Sequence, residues 1–144
     1  MKVALDAMGG DYAPAVNIGG AIDALRYYRR LQHLYLVGVQ DLLEQECRRQ
    51  GLDLNDPRVS IIHAPEVIGM AEPGAKTVRR KKLSSISIAM DMVKDGRADA
   101  FVSAGNTGAA VAAATRAAAG PATGPRPGCR SNPAATAPPT PTSP

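Results

Sequence analysis

The chain has 144 residues, of which 44% are hydrophobic, 21% charged and 3% aromatic, and its formal net charge is +4. That composition fits one globular domain with a modest core and excludes a membrane span, since no stretch approaches the roughly 20 apolar residues needed. Two cysteines, Cys47 and Cys129, are too few for a disulfide framework or a zinc site and are expected as free thiols.

Lys2 to Asp6 is a short apolar run ending in Ala-Met-Gly-Gly-Asp, which reads as a buried strand followed by a turn. An aspartate so early is unlike the uninterrupted core of a secretory signal, so a cytoplasmic protein is expected. With Asp11 as N-cap and Pro14 in the first turn, Val16, Ile18, Ala21, Ile22, Leu25 and Tyr28 recur near helical spacing. Leu34 to Val37 is a second strand, closed by Gly38. Asp41 to Gln50 reads as a helix with Gly51 as its C-cap. Cys47 sits in that helix beside Glu44 and Glu46, whose charge disfavours a thiolate, and is a poor nucleophile. Val59 to His63 is a third strand.

Lys76, Arg79, Arg80, Lys81 and Lys82 form a dense basic cluster. It reads as a solvated helix surface; no aromatic residues interleave with it for base stacking, so nucleic acid is not expected as a partner. Ser84 to Lys94 places Ile88, Ala89, Met92 and Val93 on one side of a helix that Gly96 closes. Ala100 to Ser103 is a fourth strand, running into Ala-Gly-Asn-Thr-Gly and a helix after Gly108.

The composition changes at Ala117. Residues 1–116 carry 15 basic and 13 acidic residues, whereas residues 117–144 carry no acid, only Arg126 and Arg130, no valine, leucine, isoleucine or aromatic residue, and eight of the 12 prolines. Such a segment buries too little to offset the entropy of ordering it, so 117–144 is expected to be a disordered Pro/Ala-rich tail and 1–116 the folded part. A natural linker has this composition too, but the switch falls within the first turns of a helix. Out-of-frame translation of GC-rich coding DNA accounts for both features.

Strands alternating with helices imply a parallel sheet covered on both faces, an α/β three-layer sandwich with right-handed crossovers. In such sheets ligands bind beyond the carboxyl ends of the strands, where strand order reverses. The loops after strands one, three and four, residues 6–11, 63–66 and 103–108, hold the chain's unusual residues and are expected to converge on one cleft. Ser103 to Gly108 has two glycines, two hydroxyls and an amide just before a helix, which suits an anion: backbone N–H groups can approach it and the helix terminus attracts it. Neither a Walker loop nor the dinucleotide spacing is present. A tight turn with a left-handed Asn106 is the structural alternative. Of the two carboxylates flanking Met8-Gly9-Gly10, Asp6 at the strand end is the better functional candidate. His63 has no paired nucleophile and reads as structural.

Four colinear motifs resemble one family. Asp6-Ala7-Met8-Gly9-Gly10-Asp11, His63-Ala64-Pro65-Glu66-Val67-Ile68, Val78-Arg79-Arg80-Lys81-Lys82 with Ser84-Ser85, and Ala98-Asp99-Ala100-Phe101-Val102-Ser103-Ala104-Gly105-Asn106-Thr107-Gly108 are similar to the N-terminal part of bacterial phosphate acyltransferases. The resemblance implies a fold akin to phosphotransacetylases and the isocitrate dehydrogenase group. It also implies an enzyme of phospholipid synthesis that makes acyl phosphate from inorganic phosphate and acyl-acyl-carrier-protein, usually a homodimer associated peripherally with the membrane. No metal or cofactor is implied. Asp6 and Asn106 become the catalytic candidates; Gly9, Gly10, Ser103, Gly105, Asn106, Thr107 and Gly108 would hold phosphate, with Arg79 or Lys82 offsetting its charge.

Family members are more than twice as long, so this chain is expected to be a truncated and inactive part, with an exposed sheet edge prone to aggregation. A non-catalytic anion-binding module is the alternative, and a nonspecific nucleic-acid binder resting on Lys76 to Lys82 a third.

Overall fold

A computed structural model describes residues 1–119 of the chain, and the disordered, out-of-frame tail expected from residue 117 lies, from residue 120 onward, outside the described residues. Chain order is β1 (Lys2–Asp6), α1 (Ala15–Tyr27), β2 (His33–Gly38), α2 (Gln40–Gln50), β3 (Val59–His63), α3 (Gly74–Arg80), α4 (Ser85–Lys94), β4 (Ala100–Ser103) and α5 (Thr107–Ala119). Helix α5 thus passes Arg116, where the composition changes, and is continuous to Ala119.

The four strands form one parallel sheet in the order β3-β2-β1-β4. Successive side chains of a strand point to opposite faces, so a sheet covered on both sides needs apolar residues at nearly every position. The strands meet that demand. Val3, Leu34, Leu36 and Val59 join Ile18, Ala21 and Leu25 of α1 and Leu43 and Cys47 of α2 on one face. Ala4 and Val37 meet Ala89 and Met92 of α4 on the other. Helices α3 and α5 pack onto α4 through Val78, Ile86, Met90, Ala109 and Ala113, completing the α/β sandwich.

Helix ends follow local chemistry. Gly51 terminates α2 in the left-handed region, φ 76°, which glycine adopts without steric cost. Ser84 caps α4, its hydroxyl accepting from the Ser87 N–H at 3.3 Å.

Helix α1 departs from expectation. Its cap position is Pro14, without a side-chain cap, and the Val16 N–H is taken by the Tyr12 carbonyl, which leaves Asp11 exposed in the preceding turn rather than capping the helix. The buried stripe is Asn17, Ile18, Ala21 and Leu25, whereas Val16 and Tyr28 are 64% and 68% exposed. A second departure is α3, a seven-residue helix too short to show periodicity; it ends at Arg80, so Lys81 and Lys82 follow it instead of sharing its surface.

Leu36 has no exposure and sits on the central strand pair. Leu36→Ala is expected to destabilise the chain by about 2–5 kcal/mol, through lost transfer energy and the cavity left behind. Urea unfolding followed by far-UV circular dichroism checks this.

Candidate active site

The first three strands step outward in one direction, and β4 then returns to the other side of β1. The crevice where strand order reverses therefore lies between β1 and β4, whose last residues, Asp6 and Ser103, are paired in register.

Asp6 is fully buried, and a carboxylate out of water needs hydrogen-bond donors. It accepts the Ser103 hydroxyl at Oδ2, 2.7 Å, and the Met8 N–H at Oδ1, 3.2 Å. Ser103 Oγ in turn accepts the Gly105 N–H at 3.0 Å. This relay ties the loop after β1 to the loop after β4, and it directs the Ser103 proton toward Asp6. The two loops approach closely because glycines face each other: a Cβ on Gly9 would lie 2.6 Å from Asp6 Oδ2 and 2.7 Å from the Gly105 nitrogen. Gly10, at φ 98°, turns the chain away toward α1. Asn17 holds the first loop from below, its amide donating to the Ala7 and Gly9 carbonyls at 3.0 and 2.8 Å.

Asn106 caps α5. Its Oδ1 accepts the Ala109 N–H at 2.9 Å, and its Nδ2 donates to the carbonyls of Glu72 (2.7 Å), Gly69 (3.2 Å) and Met70 (3.2 Å). Among the described residues no non-glycine residue has positive φ, so the left-handed turn at Asn106 does not occur. Thr107 and Gly108 occupy the first two helical positions and are exposed. N–H groups at these positions have no acceptor within a helix, and with the helix dipole they favour an anion.

The loop after β3 reaches this end of the sheet through residues 69–72 rather than 63–66. His63 is exposed at the end of an edge strand, its Nδ1 accepting the Gln40 N–H at 3.3 Å, while Glu66 Oε2 accepts the Leu83 N–H at 2.9 Å. Strand β3 stands three places from β4, roughly 14 Å away at normal strand spacing. Lys81 fastens the loop: its Nζ donates to the Val67 carbonyl and to Glu72 Oε1, both at 2.8 Å, and Glu72 Oε1 also accepts the Gly69 N–H at 2.8 Å. The Lys81 ammonium, then the Gly69 N–H, hold the Glu72 carboxyl below its ordinary value.

Arg79 and Lys82 are both exposed. Arg79 shares a groove with Thr107 and Gly108; Lys82 does not line it. Burial, then the charges of Glu46 and Glu44, push the Cys47 thiol up to about 11, consistent with an inert side chain. Among the described residues no three His, Cys, Asp or Glu side chains cluster as metal ligands, and no helix is long and apolar enough to cross a membrane.

Sequence reasoning missed Asn17, Glu72, Lys81 and Gly74. Asn17 did leave a signal, a polar residue one turn before Ala21 on the buried stripe. Gly74 left none: a Cβ there would collide with the backbone of Gly108 and Ala109, a contact 34 residues distant in sequence.

Gly9→Ala is expected to cost about 1–3 kcal/mol, because both groups its methyl would meet are fixed, one buried and one backbone; urea unfolding reads the loss. A depressed Glu72 pKa means the loop clamp is intact above the ordinary value of 4.5 and is released as pH falls through the lower folded value. The Gly69 amide resonance should hold its position from neutral pH to about 5 and move below the ordinary glutamate range.

The family described as fatty acid synthesis protein matches residues 1–128. The phosphate acyltransferase of Akkermansia muciniphila is 55% identical over 113 residues, 78% of this chain and 32% of its own length. Those of Pelotomaculum thermopropionicum and Clostridioides difficile are 52% identical over 113 residues and 43% over 112, with the same 78% and 32% shares. The chain thus spans about a third of the length of the curated relatives it matches. Its motifs, its parallel sheet and a family match covering all four strands agree, and the chain belongs to the fatty acid synthesis protein family.

Proposed function

We propose that this chain forms the phosphate-holding wall of a phosphate acyltransferase, an enzyme that joins inorganic phosphate to a fatty acyl group delivered as a thioester on acyl carrier protein. One observation carries the reading: the part-buried Asp6–Ser103 bond brings two motif loops, 97 residues apart, together beside the N-terminus of α5 at the sheet's switch point.

The reaction needs a phosphate held in line with a carbonyl and little else, because a thioester is already an activated acyl donor. The N–H groups of Thr107 and Gly108, with the Thr107 hydroxyl, hold the phosphate, and Arg79 offsets its charge. A phosphate oxygen adds to the carbonyl carbon, and the carbonyl electron pair moves to its oxygen, where backbone donors stabilise it. Collapse restores the carbonyl and breaks the C–S bond; the sulfur leaves with the proton that hydrogen phosphate gives up, and acyl phosphate remains. Asp6 and Asn106 are positioning residues in this scheme. Asp6 fixes Ser103 and hence Gly105, and Asn106 fixes the first turn of α5 against residues 69–72. On the same reading the enzyme works in the cytoplasm at the membrane surface, as a homodimer.

The share of its relatives that the chain spans favours a second reading, an anion-binding module without turnover. Calorimetry and a graft separate the two. The chain should bind inorganic phosphate, at least tenfold more weakly in Thr107→Asp, and should release no thiol from acyl-acyl-carrier-protein by itself. Residues 1–116 grafted onto the remainder of the Akkermansia muciniphila relative should release thiol in a phosphate-dependent way. A graft that binds phosphate without turnover favours the module, and a chain that binds no phosphate sinks both readings.

A further inference from the structure

The interleaving of aromatic and basic residues that Lys76 to Lys82 lacks is present elsewhere, in Arg26-Tyr27-Tyr28-Arg29-Arg30 at the end of α1. The chain has four tyrosines, one phenylalanine and no tryptophan, yet two of these few rings stand side by side here, 69% and 68% exposed. Neither meets another ring or a guanidinium among the described residues. Arg26, Arg29 and Arg30 are exposed too, and among the described residues no carboxylate pairs with them. The acids on this side of the molecule are Asp23, one turn earlier on α1, Asp56, which Arg58 holds at 2.7 Å, and Asp99, whose Oδ2 accepts the Lys2 N–H at 2.7 Å. Three free guanidiniums beside the Met1 ammonium leave the turn cationic. Its backbone is fixed: the Leu31 N–H donates to the Tyr28 carbonyl at 3.0 Å, the Met1 ammonium to the Arg30 carbonyl at 3.0 Å, and Arg58 Nη1 to the Leu25 carbonyl at 3.1 Å. Binding here need not order the chain first.

We propose that residues 26–30 form a site for single-stranded nucleic acid, with bases stacked on Tyr27 and Tyr28 and phosphates taken by the three arginines. Every base has a π-face, and an open ring receives it without regard to sequence. The planar guanidinium fork matches two phosphate oxygens. A duplex keeps its base faces stacked inside, so single strands are preferred. A lipid surface suits the turn less well, because it needs aliphatic side chains to insert. Leu25 and Leu31 are buried, and Val16, the exposed aliphatic of α1, stands 11 residues before Tyr27, roughly 16 Å along the axis. The site is independent of the phosphate acyltransferase reading. Met1 precedes β1 and Asp6 ends it, so about 16 Å of strand separates the turn from the crevice, and both can be occupied together.

Anisotropy of a labelled oligouridylate about 12 nucleotides long, titrated with the full chain at low salt, tests this. Without tryptophan, the intrinsic emission is tyrosine's, and it should be quenched as bases stack. Tyr27→Ala with Tyr28→Ala should weaken binding about tenfold or more and remove the quench, whereas Tyr27→Phe with Tyr28→Phe should keep the affinity. Arg29→Gln with Arg30→Gln should weaken binding and lower the slope of log K against log salt by about 1.4, the value for two lost phosphate contacts. Removing the same charge elsewhere, with Lys76→Gln and Arg80→Gln, should leave affinity and quench in place. All these positions are exposed, so far-UV circular dichroism should not change. Oligothymidylate in parallel identifies the sugar: comparable binding is expected, and a preference for either strand assigns the site to that nucleic acid. Binding that ignores the tyrosine pair and falls equally in both charge variants is nonspecific and overturns the inference. So does tyrosine-dependent capture by phosphatidylserine vesicles without oligonucleotide binding, which would make the turn a membrane contact, and so does tighter binding of a duplex of the same length.

Discussion

A carboxylate with no access to water organises this structure. Asp6 closes β1 in the interior of the sheet, and an unpaired charge there would cost several kcal/mol. The Ser103 hydroxyl, at the end of β4, and the Met8 N–H, in the loop after β1, meet it, and Ser103 Oγ in turn takes the Gly105 N–H of the loop after β4. Satisfying one buried group therefore fixes the relative position of two loops. Gly9 and Gly105 permit the approach, since neither has a side chain to hold the backbones apart. The same requirement explains why a serine terminates β4: a larger or apolar residue would leave Asp6 without its donor.

A second anchor works beside the first. Asn106 serves the helix and the neighbouring loop with opposite ends of one amide, accepting from the first turn of α5 and donating to the carbonyls of residues 69, 70 and 72. Lys81 and Glu72 hold the far side of that loop. The exposed residues Thr107 and Gly108 thus open a helix whose start is fixed from two directions, the preorganisation that the proposed anion site needs. Arg79, which lines the same groove, stays on the surface, whereas the lysine two positions later is spent on structure.

Much of this was legible in the residues. The four strands stand out because a sheet covered on both faces demands unbroken apolar runs, and Lys2 to Asp6 and Val59 to His63 have the observed bounds. Gly51 and Gly96 mark the helix ends where they were read. What escaped depends on contacts distant in sequence. Nothing local in Gly74 or Lys81 reveals that one meets the α5 backbone and the other reaches the Val67 carbonyl. Asp11 misled because a capping residue type precedes a helix at almost the right distance, and the intervening turn moves the start to Ala15. Asn106 was singled out for chemistry, and the geometry gives its amide to capping and loop anchoring.

The bond from Asp6 to Ser103 also orders events in time. Strands β1, β2 and β3 with helices α1 and α2 form a contiguous stretch that can pair as it leaves the ribosome, while the first carboxylate waits for a hydroxyl 97 residues later. Until β4 has been synthesised, Asp6 sits at an open strand edge in contact with water and the loop after β1 has nothing to close against. Long-range pairing of this kind is slow relative to local structure. The crevice consequently cannot close before β4 has paired with β1.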